Sequence, residues 1–549
     1  METFLIAVGA IVPMLVLLVV IHEFGHFATA RSLGVKVLEF GVGFPPRAFG
    51  IYTGKTRVLI APDTQFVNLG GESDLRLGSL VKVTSGEDSE GNLVARVIES
   101  PLPAKALTAR LGLKRKPAEF LPSAELSAPD VPEANFDSDE LLKHEGRVRA
   151  VDNGSIVLAD MLYSINWAPL GGFVRLAGET GNPAVPRSLA GKGVGTRFLV
   201  LVAGPFMNAI LPIAFFTILL MLPQEILLGQ VVVDEVFDGY PAQSSGVHQG
   251  DIILSTDGRK IENEGDLNVA ININGNSPME WLIDRGGQQF VIRVEPRFGR
   301  PPGRWLTGVG IDNKSERVTV INVEPGGPAA SAGILRNDVV VLAGGKTIKT
   351  LGDLKKAIQL SRGVEMDWVI TRGESQVAIQ VTPRFSQREI EQFQTGISTL
   401  LINSHAENRS QPPWIAFRDS FGKTWEVLIL MKQGIFGAVS SGSSPQLSGP
   451  IGIARAAGEL TRDAGINGWL FMAILLSISL AIFNILPIPA LDGGRLVFVI
   501  LEWLRRGKRV PPEKEGMVHI IGFAVLIGFI ILISASDINN LIQGRSIFG

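Results

Sequence analysis

The run His22-Glu23-Phe24-Gly25-His26 brings two imidazoles and a carboxylate together in one short stretch. In a helix, residues four apart lie about 40° apart around the axis, so His22 and His26 can aim at one metal ion while Glu23 stands beside them to take a proton. Two neutral imidazoles and a carboxylate suit zinc in tetrahedral coordination with one position left for water, whose pKa such binding lowers to about 7. The chemistry would be hydrolysis, with Glu23 as the base. The plain alternative is a helix that ends in two histidines at a membrane boundary. Ionisable groups at the end of an uncharged apolar run are costly, however, unless they are paired or metal-bound. The chain contains no cysteine, so thiolate nucleophiles, disulfides and cysteine metal sites are excluded, and any further ligand must be His, Asp or Glu.

The candidate for that ligand is Asp492, in the run Asn484-Ile485-Leu486-Pro487-Ile488-Pro489-Ala490-Leu491-Asp492-Gly493-Gly494. Pro487 and Pro489 interrupt helical hydrogen bonding within an apolar stretch, and broken backbone at membrane depth is tolerated only against protein or a water-filled cavity. A carboxylate beside such a cavity could reach zinc, whereas in isolation Asp492 would read as a helix cap.

These residues must be positioned by helices that cross a bilayer. Hydrophobic residues make up 46% of the 549 and charged residues only 19%, which points to a membrane protein with soluble parts. Four uncharged apolar stretches are long enough to span: Phe4 to Ile21, Phe198 to Leu222, Ala464 to Leu491 and Met517 to Ser536. The first lacks the basic leading region of a signal peptide and runs into His22 instead of a small-residue cleavage site. Arg31, Lys36 and Arg47 follow the first span, Arg187, Lys192 and Arg197 precede the second, and Arg505, Arg506, Lys508 and Arg509 follow the third. Retention of juxtamembrane Lys and Arg in the cytoplasm puts all three clusters on that side and both termini outside. The net charge of -2 gives no electrostatic reason to invoke nucleic acid.

Between spans two and three the chain repeats. Pro241-Ala242, Gly246-Val247 and Asp251 recur as Pro328-Ala329, Gly333-Ile334 and Asp338, each displaced by 87 residues. Strand-like approaches, a Pro-Ala helix start and Gly/Asp turns mark a duplicated α/β module of the PDZ kind, built to take an extended peptide in a groove, or a pair of modules without a ligand. Residues 55 to 160 form an extra segment with strands at Arg147 to Val151 and Ser155 to Leu158 around an Asn153-Gly154 turn, and a Pro- and acid-rich linker at 115 to 142. Pro413 to Val439 interleaves aromatic and charged residues as an interfacial helix would.

Together, His22 to His26, Asn484 through Gly493, Gly204-Pro205-Phe206-Met207-Asn208 in the second span and the paired PDZ-like repeats resemble the site-2 proteases, most closely the bacterial RseP-like regulated intramembrane proteases. Only residues 55 to 160 fall outside that likeness. The resemblance implies a polytopic α-helical membrane protein of four transmembrane helices, with two extracytoplasmic PDZ-like α/β domains and a β-rich cytoplasmic insert. The expected parts are residues 1–50 (first helix and following loop), 51–160 (insert), 161–180 (membrane-associated β-hairpin), 196–223 (second helix), 225–298 and 305–386 (PDZ-like domains), 410–440 (juxtamembrane helix), 464–494 (third helix) and 515–536 (fourth helix). It further implies a zinc endopeptidase in the bacterial cytoplasmic membrane, acting on single-span membrane proteins such as anti-sigma factors or signal-peptide remnants. Asn484 would bind substrate backbone, and Gly171 and Gly172, within Tyr163 to Glu179, would be substrate-binding as well, their missing side chains permitting close backbone approach. Leu447 to Ala454 would lead into the third span, while Asn208 reads as a polar contact between helices.

Two other classes fit parts of the chain. A membrane-tethered peptide-binding scaffold or chaperone would have no need of Glu23, and structural zinc usually has four protein ligands where three are evident. A transporter would want paired half-helices and repeated spans, which the sequence lacks.

Overall fold

The structure is a computed structural model that describes residues 2–88, 91–100, 141–152, 154–179, 185–299, 302, 304–307, 309–311, 317–324, 326–386, 392–440 and 449–542. The chain divides into two compact units, residues 1–219 with 448–539 and residues 220–447 with 540–549.

The first unit is built on helices α1 (Glu2–Ser32), α2 (Val194–Met221), α3 (Pro450–Ile485), α4 (Asp492–Leu504) and α5 (Pro512–Ile542). All but α4 are long and apolar enough to cross a membrane. The third span is not one rod through 464–494, as the hydropathy alone would have it. Its helix begins at Pro450, kinks at Gly465 and stops at Ile485, and Asp492 opens a separate helix. The prolines are the cause: Pro487 and Pro489 lack the N–H a helix needs, and the residue before a proline is pushed to extended backbone, as Leu486 is (φ -61°, ψ 148°). Of the approach at 447–454, residues 447 and 448 lie outside the described residues and the rest is helical from Pro450.

Strands β1 (Val37–Thr53) and β7 (Met161–Leu176) each fold back on themselves. Glu39 pairs with both Arg175 and Leu162, while Thr53 pairs with Met161, so the order is late β1, early β7, early β1, late β7. This corrects the expectation of a β-hairpin confined to 161–180, because the strand partners of 161–176 all come from residues 37–53, assigned above to a loop and the start of the insert. The sheet leaves Phe44, Phe49, Ile165 and Trp167 exposed.

Between β1 and β7 the insert closes into a barrel of β2 (Thr56–Val67), β3 (Leu80–Glu87), β4 (Leu93–Glu99), β5 (Leu142–Asp152) and β6 (Ser155–Ala159), in the order β2-β4-β3-β5-β6. Only β2 and β4 run parallel. Counted from β5, the pairings are first to second, second to third, third to fifth in parallel, fifth to fourth and fourth to first. A helical turn at Glu72–Asp74 sits between the third and fourth strands. That is the Greek-key connectivity of an OB-type barrel, entered between its second and third strands. Val58, Val83, Leu93, Ile98, Leu142, Ile156 and Leu158 fill it. Asn153 lies outside the described residues, as does the expected linker at 115–142 except for its last two positions.

A buried polar chain fastens the barrel to its host. Asp160, where β6 hands over to β7, accepts from Lys36 Nζ at 2.6 Å, Thr56 Oγ1 at 2.7 Å and His144 Nδ1 at 2.7 Å. Ser85 Oγ lies 3.2 Å from His144 Nε2. Ser85, His144 and Asp160 have the connectivity of a hydrolytic triad, but Ser85 is 0% exposed and no substrate can reach it. The chain is structural. Burial opposes ionisation of Asp160, yet the bonds from His144 and Lys36 outweigh it and hold the carboxyl below its ordinary range.

The second unit carries two modules in strict 87-residue register. Arg285 grips Asp251 (2.6 and 2.8 Å) and the Gly246 carbonyl (2.8 Å), and Arg372 grips Asp338 (2.8 and 2.7 Å) and the Gly333 carbonyl (2.7 Å). Trp281 and Trp368 sit fully buried at equivalent core positions. The first module is not the contiguous block 225–298, whereas the strands of the second pair within 305–386. Val309–Ile311 pairs with the second module's Val320–Val323, and the matching strand for the first module, Ile397–Arg409, comes from beyond the second and pairs with Gln224–Val236. The helix Pro413–Ser440 buries Ala416, Ser420 and Thr424 and exposes Trp414, Phe417, Phe421 and Trp425. Its Gln433 donates to the Ile273 carbonyl of the first module.

Asp160→Ala would leave Lys36 as an unpaired buried charge, so it is expected to cost roughly 3–5 kcal/mol, against about 1 kcal/mol for Ser85→Ala. Thermal melts of the purified full-length protein check this, and equal shifts would contradict it. Because the folded pKa of Asp160 is depressed, its contribution is full above about pH 4 and fades as pH falls through the lowered value.

Candidate metal centre

The sequence puts His22 and His26 one turn apart on α1. Helix α2 makes room for them. A Cβ at Gly204 would lie 2.3 Å from His26 Nε2 and 2.6 Å from His22 Nε2, so only glycine lets α2 pass this close. The same helix orients both rings. His26 Nδ1 donates to the Val200 carbonyl at 2.7 Å, which leaves its Nε2 bare. His22 Nδ1 lies 3.3 Å from the Asn208 side-chain amide, whose other polar atom, Oδ1, is buried without a partner. Turned about, that amide would set its oxygen on the Nδ1 proton and free Nε2 of His22 as well. Asn208 also ties α2 to α3, since its backbone carbonyl accepts from Ser477 Oγ at 2.8 Å. It is therefore more than the helix–helix contact expected from sequence.

Asp492 arrives at the N-terminus of α4. Its Oδ2 lies 3.0 Å from His22 Nε2 and 3.3 Å from His26 Nε2, and the two Nε2 atoms are 3.2 Å apart. Ligands about 2.0–2.1 Å from a tetrahedral zinc stand about 3.3–3.4 Å from one another, so the three atoms outline one face of such a tetrahedron. The donor set, two imidazole nitrogens and a carboxylate oxygen, is one that suits zinc. The residues fit the ion, and the fourth position is left to solvent or substrate.

Glu23 is not among these ligands. Its Oε2 accepts the Val174 N–H at 3.0 Å, so the late half of β7 holds the carboxylate. A cavity of about 220 Å³ opens beside it, lined by His22, Glu23, Asn208, Asn484 and Asp492 among others. Asn484 thus shares the cavity with the metal-binding group. Gly171 and Gly172 do not line it. They lie against Val19 and Val20, one turn ahead of His22 and Glu23, with Gly171 at φ +87°. Sequence reading missed Arg495, which ion-pairs with Glu179, and the partner of Arg197, Glu502 at 2.6 Å, which joins α2 to α4. Nothing in the local pattern marks these long-range pairs.

A profile described as peptidase family M50 matches residues 10–91 and 150–529. The chain belongs to peptidase family M50. The unmatched interior, 92–149, takes in β4 and most of β5, so the family pattern breaks at the insert. A protein of Oceanobacillus iheyensis named zinc metalloprotease RasP is similar, at 26% identity over 541 residues, covering 97% of this chain and 99% of that one. Another of the same name from Geobacillus kaustophilus is 23% identical over 529 residues, 95% of each chain. Among solved structures, the HtrA3 PDZ domain bound to a phage-derived ligand aligns with 16% of this M50 chain and 92% of its own, at 17% identity and a TM-score of 0.15.

Gly204→Val should displace both imidazoles and strip the ion. Elemental analysis of the purified M50 protein is expected to fall from one zinc per chain to well below half, and an unchanged content would refute the close-approach account.

Proposed function

We propose that this M50 peptidase is an intramembrane zinc endopeptidase, with His22, His26 and Asp492 as ligands and Glu23 as general base. The observation that carries the reading is the meeting of three ligand atoms from residues 22, 26 and 492 beside Glu23, at one cavity among apolar helices. Zinc, when bound, supplies the Lewis acidity that makes water nucleophilic near neutral pH and polarises a carbonyl. Glu23, fixed by Val174 N–H, takes the proton from that water and returns it to the leaving amine.

A transmembrane helix hides its carbonyls in its own hydrogen bonds, so the substrate must be drawn out before attack. The late half of β7 points an N–H at Glu23, and an extended segment laid along that strand would pass the cavity. Asn484 would then hold its backbone. The exposed Phe44, Phe49, Ile165 and Trp167 suit a sheet lodged in lipid. On this reading the substrates are single-span membrane proteins such as anti-sigma factors or signal-peptide remnants, and the membrane is the bacterial cytoplasmic one. The basic clusters favour a cytoplasmic barrel and extracytoplasmic PDZ-like modules, which would gate entry by excluding substrates with bulky outer domains or by binding peptide ends. The Trp414, Phe417, Phe421 and Trp425 face would rest on the outer leaflet.

Glu23→Gln should keep zinc and lower cleavage of a reconstituted single-span substrate roughly 10²–10⁴-fold. Retained turnover would remove Glu23 from the mechanism. At Gly172 a Cβ would meet the Gly41 carbonyl at 3.0 Å, so Gly172→Val is expected to slow cleavage with zinc retained, and full activity would count against strand addition. Gln224 and Arg409 are paired neighbours, so excising 225–408 leaves two adjacent ends. The shortened enzyme should cut untrimmed substrates that the full chain refuses.

A further inference from the structure

Helix α5 looks dispensable to the metal centre, because none of its most apolar stretch is buried. It touches the unit at few points, and two of them fall on consecutive residues of the loop that delivers Asp492. At Gly522 a Cβ would lie 2.1 Å from Pro489 Cβ, so the helix can sit against that proline only without a side chain. One turn earlier on the same face, His519 Nδ1 accepts the Ala490 N–H at 2.9 Å.

Ala490 is where the loop is strained. Its φ is +77°, in the left-handed region that costs a residue with a Cβ about 1–2 kcal/mol. Two residues on, Asp492 must meet both imidazoles within 3.3 Å. The Leu491 N–H closes a turn on the Ile488 carbonyl at 3.2 Å, with Pro489 preset for its first corner and Ala490 at the second, where glycine or asparagine is the usual residue. His519 is the side chain that holds Ala490's own amide. With Nδ1 accepting, the other ring nitrogen carries the proton. It finds no hydrogen-bond acceptor among the described residues, and Glu515 Oε1 stands 3.9 Å away. Among the described residues the ring's one hydrogen bond is the one to Ala490, and Phe498 of α4 flanks it with centroids 5.7 Å apart.

We propose that His519 of the fourth span is a positioning residue for Asp492: it holds Ala490 in the left-handed conformation that sets the third metal ligand in place. The inference rests on the zinc reading of the His22, His26 and Asp492 group. It gives the last helix a part in the chemistry that its lack of packing conceals.

The test uses full-length protein in detergent, with zinc affinity measured by competition against a chromophoric chelator. His519→Leu is expected to weaken zinc binding roughly five- to thirty-fold, the factor that matches the backbone penalty released. His519→Asn, which keeps an acceptor, should recover part of it. The decisive variant is the double change His519→Leu with Ala490→Gly. Glycine takes a positive φ without penalty, so it should restore affinity to within about threefold of wild type. A residue that merely packed α5 against the loop would not be rescued this way. Undiminished affinity in His519→Leu, or a loss that Ala490→Gly leaves uncorrected, would overturn the proposal. If the wild-type protein bound no zinc, the zinc reading itself would fail, which is a distinct result.

Discussion

Three ligand atoms must converge to about 3 Å among largely apolar helices, and the rest of the catalytic unit follows from that demand. An imidazole or carboxylate in apolar surroundings is stable only with every donor and acceptor spoken for. Helix α2 meets the demand for the histidines, through the Val200 carbonyl, the Asn208 amide and the missing side chain at Gly204. For the carboxylate the solution is different. The chain stops being helical before Asp492, turns through two prolines and restarts, so the ligand sits on the first residue of a new helix.

How much of this was legible follows from the range of each interaction. The His22, Glu23 and His26 spacing and the Pro-rich run before Asp492 are local, and both could be read directly. The 87-residue repeat was legible because duplication copies a whole network, down to Arg285 on Asp251 and Arg372 on Asp338. What escaped were pairings over long separations. Residues 37–53 do not read as strand, because a segment rich in Gly and Pro shows its nature only beside its partner at 161–176. The strand that completes the first PDZ-like module lies 397–409, past the second module, where no local signal assigns it. The break at Leu486 was signalled by Pro487, yet hydropathy averaged across it and gave one long span.

The same contrast separates the two ways this chain holds polar groups in dry places. Asp160 in the barrel junction is surrounded by Lys36, Thr56 and His144, each partner satisfied, and nothing is left over for chemistry. At the metal centre the bonding is incomplete by design of the geometry: the ring nitrogens facing Asp492 have no proton donor of their own, and Glu23 is held by a single backbone amide. On the proposed reading a cation and a water would complete one site, whereas the other is already closed.

The barrel's route into the chain has a further consequence. It enters after Thr53 and leaves before Met161, and those two residues face each other as strand partners. A guest domain plugged in at adjacent sockets disturbs neither strand of its host, so evolution could acquire or discard it as a cassette. Opened between its second and third strands, which are neighbours in the barrel, the OB-type connectivity brings both ends of the guest out side by side.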